Sequence, residues 1–241
     1  MEKKFLELTR EDRILILAIN NPPHNSLNDE IFWELYSCRD LILSPDIDLI
    51  IFTGKGNVFS KGFDLNAIRA YPDSSKMRES LKGANRIYSF IEDLDKPVIA
   101  AINGHCFGGG LELALVCHFR LCSEKARLGL PEVSVKIIPG LGGIHRLAKT
   151  VGEAKALELI TLGDLFSASE ALRLNIVNRL FPKKDFMPSV LRFAKTLLMA
   201  DQGCIREVIR LIKKAPISSE QENIKSATDS FIDIYFGRDG D

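Results

Sequence analysis

The chain has 241 residues, 46% hydrophobic and 27% charged, with 32 Lys and Arg set against 32 Asp and Glu. That length supports one large domain or two small ones with a sizeable core. Zero net charge argues against a dedicated nucleic-acid binder or a polybasic membrane-surface protein, and no apolar run reaches the length of a membrane span.

The N-terminus, "MEKKFLELTREDR", is charged and has no apolar h-region, so no secretory signal is expected. The five cysteines are odd in number and contain no C-x-x-C spacing. This predicts reduced thiols in a cytoplasmic protein rather than a disulfide frame or a zinc site.

In chain order, "ILILAI" (14–19) predicts a short buried strand, and the paired prolines of "NNPPHNSL" a loop. Ser26 or Asn28 then caps a helix through "DEIFWELYSCRDLIL". "DLIIFT" (48–53) is a second strand, stopped by "GKGN", and "FSKGFDLNAI" is a loop turning into a helix. "LKGANRIYSFIEDL" has helical periodicity, "KPVIAAING" is a third strand and "FRLCSE" a fourth, with further strand signals at "RLGLP" and "IVNRLF". From about residue 188 the pattern turns mainly helical. The alternation predicts an α/β fold and, taken alone, a doubly wound sheet.

The most informative stretch is "INGHCFGGGLELALVCHF" (102–119), where three glycines lead into an apolar helix holding one carboxylate, Glu112. Two readings are open at this point. Glycines can serve close packing, with the glutamate paired to a buried cation. Alternatively, glycines that open a helix leave backbone N–H groups bare and backed by the helix dipole, which suits an anion or a charge developing during reaction. A phosphate loop is disfavoured because no G-K-[ST] follows, and the match to G-x-G-x-x-G is poor. A second carboxylate, Glu132, follows in "RLGLPEVSVKIIPGLGG". Two carboxylates in apolar surroundings can hold split pKa values and divide acid and base roles. His105, His118 and His145 read as structural, because no second ligand group stands at metal spacing, so no metal is expected.

The stretches "NPPHNSL", "FTGKGNVFSKGFDL", "KPVIAAINGHCFGGGLELALVCHFRLCSEKARLGLPEV", "KIIPGLGGIHRL" and "TLGDLFSASEALRLNIVNRLF" occur in an order that resembles the enoyl-CoA hydratase/isomerase (crotonase) superfamily. The resemblance runs from about residue 10 to residue 185. It implies a spiral of repeated β-β-α units over residues 1–187, holding the CoA and acyl site. It also implies a helical oligomerisation region over 188–241, and a homotrimer or dimer of trimers. The implied substrate is an acyl-CoA thioester. Coenzyme A is then part of the substrate, and no separate cofactor is required.

By motif position, the thioester oxygen would lie between the backbone N–H groups of Phe63 and Gly109, and Glu112 and Glu132 would hold a water molecule. Candidate CoA and substrate contacts are Pro23, His24, Lys61, Gly62, Asp64, Leu65, Gly108, Pro131 and Gly140. The implied activity is hydration of a 2-enoyl-CoA. The alternatives on the same scaffold are Δ3–Δ2 isomerisation and thioester hydrolysis or decarboxylation. A non-catalytic acyl-CoA binder is the alternative of a different class. Three departures stand out: Phe63 in place of a small residue, Lys136 before "IIPG" where glycine is frequent, and an end at "FIDIYFGRDGD" that resembles the segment before the family's last helix.

Overall fold

The computed structural model describes residues 3–237. A hairpin of β1 (Leu6–Glu11) and β2 (Ile14–Ile19) precedes α1 (Asp29–Ser37) and α2 (Arg39–Leu43). Asn28 is the cap of α1, its side chain accepting from the Ile31 N–H. Three strand pairs come next. β3 (Leu49–Gly54) and β4 (Val58–Ser60) lead to α3 (Leu65–Arg69) and α4 (Ser74–Glu92). β5 (Val98–Ile102) and β6 (His105–Phe107) lead to α5 (Gly109–Val116). β7 (Phe119–Ser123) and β8 (Arg127–Gly129) lead to a 3-10 turn at Glu132–Val135, then to α6 (Gly143–Val151) and α7 (Glu153–Leu162). The chain closes with β9 (Phe166–Ser167), α8 (Ala168–Arg173), β10 (Arg179–Phe181), α9 (Phe186–Leu198), α10 (Gln202–Lys214) and α11 (Glu220–Gly237).

The first strand of each pair joins a six-stranded sheet of order β1-β2-β3-β5-β7-β10, and the second joins a four-stranded sheet of order β4-β6-β8-β9. Within the repeats all pairings are parallel. The chain thus advances one strand in each sheet per β-β-α unit. This is a spiral, not the doubly wound sheet that alternation alone suggests.

The central strands read as unbroken apolar runs because the large sheet is covered on both faces. Leu15, Leu17, Ile50 and Phe52 point to one side, into the core shared with α1, α4 and α5. Their neighbours Ile14, Leu49 and Ile51 point to the other, where α9 covers them with Phe186, Val190 and Ala194. The two-residue period of a strand makes this division automatic. Among the described residues, no helix is long and apolar enough to cross a membrane.

Three strands have no clear sequence signal. β1, "LELTRE", is an edge strand with only Leu6 fully buried, and its charges suit an exposed edge. β4 and β6 have three residues each, too few for a period to register.

Candidate active site

The small sheet places the site. β4, β6 and β8 are parallel neighbours, so the three chain segments that leave them emerge side by side. Those segments are Lys61-Gly62-Phe63, Gly108-Gly109 and Leu130-Pro131-Glu132. The carboxyl ends of parallel strands are where such folds put ligands, because helix N-termini and loops gather there. A cleft of about 260 Å³ opens at this point. Glu112, Glu132, Phe63 and Gly109 line it together. So do Lys61, Gly62, Leu65, Gly108, Pro131 and Gly140.

Gly108 and Gly109 set the backbone. Gly108 has φ 51°, in the left-handed region that an L side chain rarely adopts. Gly109 then starts α5, where its N–H has no intrahelical partner. Among the described residues neither the Gly109 N–H nor the Phe63 N–H donates to a protein acceptor. The two are close: a Cβ placed on Gly109 would lie 3.6 Å from the Phe63 nitrogen, and one placed on Gly62 would lie 3.0 Å from the Gly109 nitrogen. Phe63 is held by its neighbours, since the Leu27 N–H donates to the Gly62 carbonyl and the Asp64 N–H to the Leu27 carbonyl. Its ring stacks on Phe32 at 5.9 Å between centroids. The buried Tyr88 hydroxyl donates to the Gly109 carbonyl at 2.8 Å and fixes the first turn of α5.

The two carboxylates have unlike surroundings. Glu112 is 2% exposed, and its Oε1 accepts from the Leu141 and Gly143 N–H groups, both at 2.8 Å. Burial pushes its pKa up, opposed by those two N–H groups and by the Arg146 guanidinium. Arg146 is itself buried, donating to the Leu141 carbonyl at 2.9 Å and pairing with Glu92 at 2.7 Å. Glu132 is 9% exposed, and its Oε2 is buried without a partner among the described residues. Burial first, and the Glu112 charge second, push its carboxyl up to about 7. At neutral pH the site thus presents one hydrogen-bonded carboxyl group beside one that retains its proton in a large fraction of molecules.

Pro23, His24 and Asp64 do not line the cleft. His24 and Pro23 are exposed on the neighbouring loop, which joins the cleft edge where the Lys61 N–H donates to the His24 carbonyl at 3.0 Å. The Asp64 side chain caps α3 by accepting from the Asn66 N–H at 2.8 Å. Lys136 has φ 62°, so this position is a left-handed one. Sequence reasoning missed the Leu141 and Gly143 cradle and the Tyr88 brace. The glycines of "GLGG" were the available signal for the first; nothing marked Tyr88.

Residues 9–235 match the family model described as enoyl-CoA hydratase/isomerase. A protein of Bacillus subtilis (strain 168), named probable enoyl-CoA hydratase, is 42% identical over 177 residues, covering 72% of this chain and 67% of its own length. The carnitinyl-CoA dehydratase of Salmonella paratyphi A is 35% identical over 231 residues, covering 92% and 86%. Among solved structures, the enoyl-CoA hydratase of Bacillus anthracis superimposes with a TM-score of 0.91 at 27% identity, covering 97% of this chain and 92% of its own. The chain belongs to the enoyl-CoA hydratase/isomerase (crotonase) family, and its two mixed sheets with C-terminal helices are the crotonase fold.

Proposed function

We propose that this protein is an enoyl-CoA hydratase, adding water across the 2,3 double bond of a 2-enoyl-CoA. The observation that carries this reading is the sharing of one cleft by two buried carboxyl groups of unlike environment and two undonated backbone N–H groups.

The thioester oxygen accepts from the Phe63 and Gly109 N–H groups, which polarises the conjugated double bond. Glu112, its other oxygen held by two N–H groups, orients a water molecule and takes one of its protons. The water oxygen forms a bond to the β-carbon, and the π electrons move onto the thioester oxygen as an enolate. The two N–H groups stabilise that charge as it develops, a contribution of about 3–4 kcal/mol per donor where it has been isolated. Collapse of the enolate takes the Glu132 proton onto the α-carbon. The proton left on Glu112 returns to solvent as Glu132 is reprotonated. The unlike environments support this division of roles: the carboxyl whose pKa is raised to about 7 is the acid, and the one held by two backbone N–H groups the base.

Lys61 and His24 are both exposed at the cleft edge and linked through their backbones, and they are the proposed contacts to the CoA phosphates. The assembly is proposed as a homotrimer or dimer of trimers. The test is a time course with 2-enoyl-CoA and 3-enoyl-CoA as parallel substrates. Hydration of the first is expected. Interconversion of the two without hydration would replace this reading by the isomerase, which needs only one carboxyl group.

A further inference from the structure

Beyond the cleft lies a second, larger hollow. It is a groove of about 950 Å³ between α1 and α4, with Phe32, Trp33 and Ile87 in its walls. Tyr71 belongs to both spaces. The partition between them is short. α4 turns Met77 and Leu81 to the cleft and Ser80 and Ala84 to the groove, as helical spacing requires. Phe63 on the cleft side stacks directly on Phe32 on the groove side.

Tyr71 is fixed in this partition by a polar clasp. Its hydroxyl lies 2.9 Å from each oxygen of Asp29 and 2.6 Å from Ser80 Oγ. Ser80 Oγ also donates to Asp29, so three side chains from α1, α4 and the segment before α4 close one network. A cleft of about 260 Å³ lies below the usual range for a small-molecule site, about 300–1,000 Å³. That volume suits the thioester end of a substrate with a short acyl group. Tyr71 lines both spaces, so it stands where a longer apolar tail would leave the cleft for the groove.

We infer that Tyr71, clasped by Asp29 and Ser80, is the specificity-determining wall that restricts this site to short acyl chains. The inference rests on the acyl-CoA reading above and adds the class of acyl group. A cleft that ends at a fixed ring discriminates by exclusion, which outweighs the attraction of extra methylenes. Removing the ring joins cleft and groove, and the preference then follows apolar contact, worth about tenfold or more per methylene accommodated.

The experiment compares wild type, Tyr71→Ala and Tyr71→Phe on 2-butenoyl-CoA and 2-decenoyl-CoA. The decenoyl to butenoyl ratio of kcat/KM should rise about tenfold or more in Tyr71→Ala. It should rise less in Tyr71→Phe, which keeps the ring and loses the clasp. The groove carries its own probe, because the chain's single tryptophan, Trp33, lines it and is 68% exposed. Saturated decanoyl-CoA, which cannot be hydrated, should change Trp33 emission in Tyr71→Ala and leave it unchanged in wild type. An unchanged ratio in Tyr71→Ala, or a wild-type Trp33 response to decanoyl-CoA, overturns the wall. If affinity for decanoyl-CoA relative to butanoyl-CoA rises in Tyr71→Ala while no variant hydrates either enoyl substrate, the wall stands and the hydratase reading falls.

Discussion

Glu112 and Glu132 line one cleft in opposite hydrogen-bonding states: Glu112 Oε1 accepts two backbone N–H groups at 2.8 Å, whereas Glu132 Oε2 is buried and accepts none among the described residues. Glutamine keeps the shape of each but can neither give nor take a proton. Glu112→Gln and Glu132→Gln are each expected to lower kcat for hydration by about 10²–10⁴-fold with little change in KM. The double variant should lose far less than the product of the two, because both groups act on one transition state. Steady-state kinetics on 2-enoyl-CoA checks this, and a Glu112→Gln variant with full activity would return that carboxyl to a structural role.

The same asymmetry fixes a pH dependence of stability. The Glu132 pKa is about 7 in the fold against an ordinary 4.5. Its folded value is raised, so the native state binds more protons than the unfolded chain between those two values. The stability this contributes is complete below about pH 4.5 and is lost as the pH rises through about 7. Glu132→Gln removes the slope. Its urea midpoint should exceed that of wild type at about pH 8, by roughly 1–3 kcal/mol in stability, and the gain should shrink towards about pH 5. A gain that does not vary with pH would show that Glu132 titrates normally.

Gly110 is required by space. A Cβ placed there would lie 2.5 Å from the Ser60 carbonyl oxygen, which belongs to the backbone of β4 and cannot swing aside. Gly110→Ala therefore has to push α5 away from the strand that leads to Phe63. We expect a loss of about 1–3 kcal/mol in chemical denaturation, together with a fall in kcat as the two N–H groups separate. A variant with unchanged stability and rate would show that α5 shifts freely.

Contacts remote from the reacting carbon should contribute to rate. Lys61 lines the cleft, and His24 is exposed on the loop joined to it by the Lys61 N–H. An N-acetylcysteamine thioester of the same acyl group lacks the nucleotide they are proposed to hold. Its kcat/KM should be lower by several orders of magnitude, because binding energy from the nucleotide positions the reacting carbon. Equal values for the two thioesters would remove the CoA site and favour an acyl-carrier-protein substrate.

The α10 and α11 helices leave Val208, Ile212, Phe231 and Tyr235 more than half exposed. Apolar side chains left exposed on neighbouring helices are what a subunit interface would cover. Light scattering at micromolar concentration is expected to give the mass of a trimer or hexamer. A monomer would overturn the proposed assembly.

The sequence by itself determined the elements whose signals are local. "ILILAI", "LIIFT" and "VIAAI" declare buried strands because a covered strand is apolar on both faces, and the observed strands fall on them. The sequence narrows the start of α1 to Ser26 or Asn28, and the fold selects Asn28, whose side chain accepts from the Ile31 N–H. The ordered motifs identified the family and singled out Glu112, Glu132, Phe63 and Gly109. Tertiary structure alone decided how these residues meet. β4 and β6 are too short for a period, yet their parallel pairing is what sets the Phe63 and Gly109 N–H groups side by side. The contrast between Glu112 and Glu132 depends on the N–H groups of Leu141 and Gly143, which lie 29 and 31 residues from Glu112 in the chain. Tyr71 is a wall only because α1 and α4 bring Asp29 and Ser80 to its hydroxyl. Periodicity and capping record what a residue does with its chain neighbours. Partners brought from distant segments leave no such record, because their encounter is set by the packing of the whole spiral.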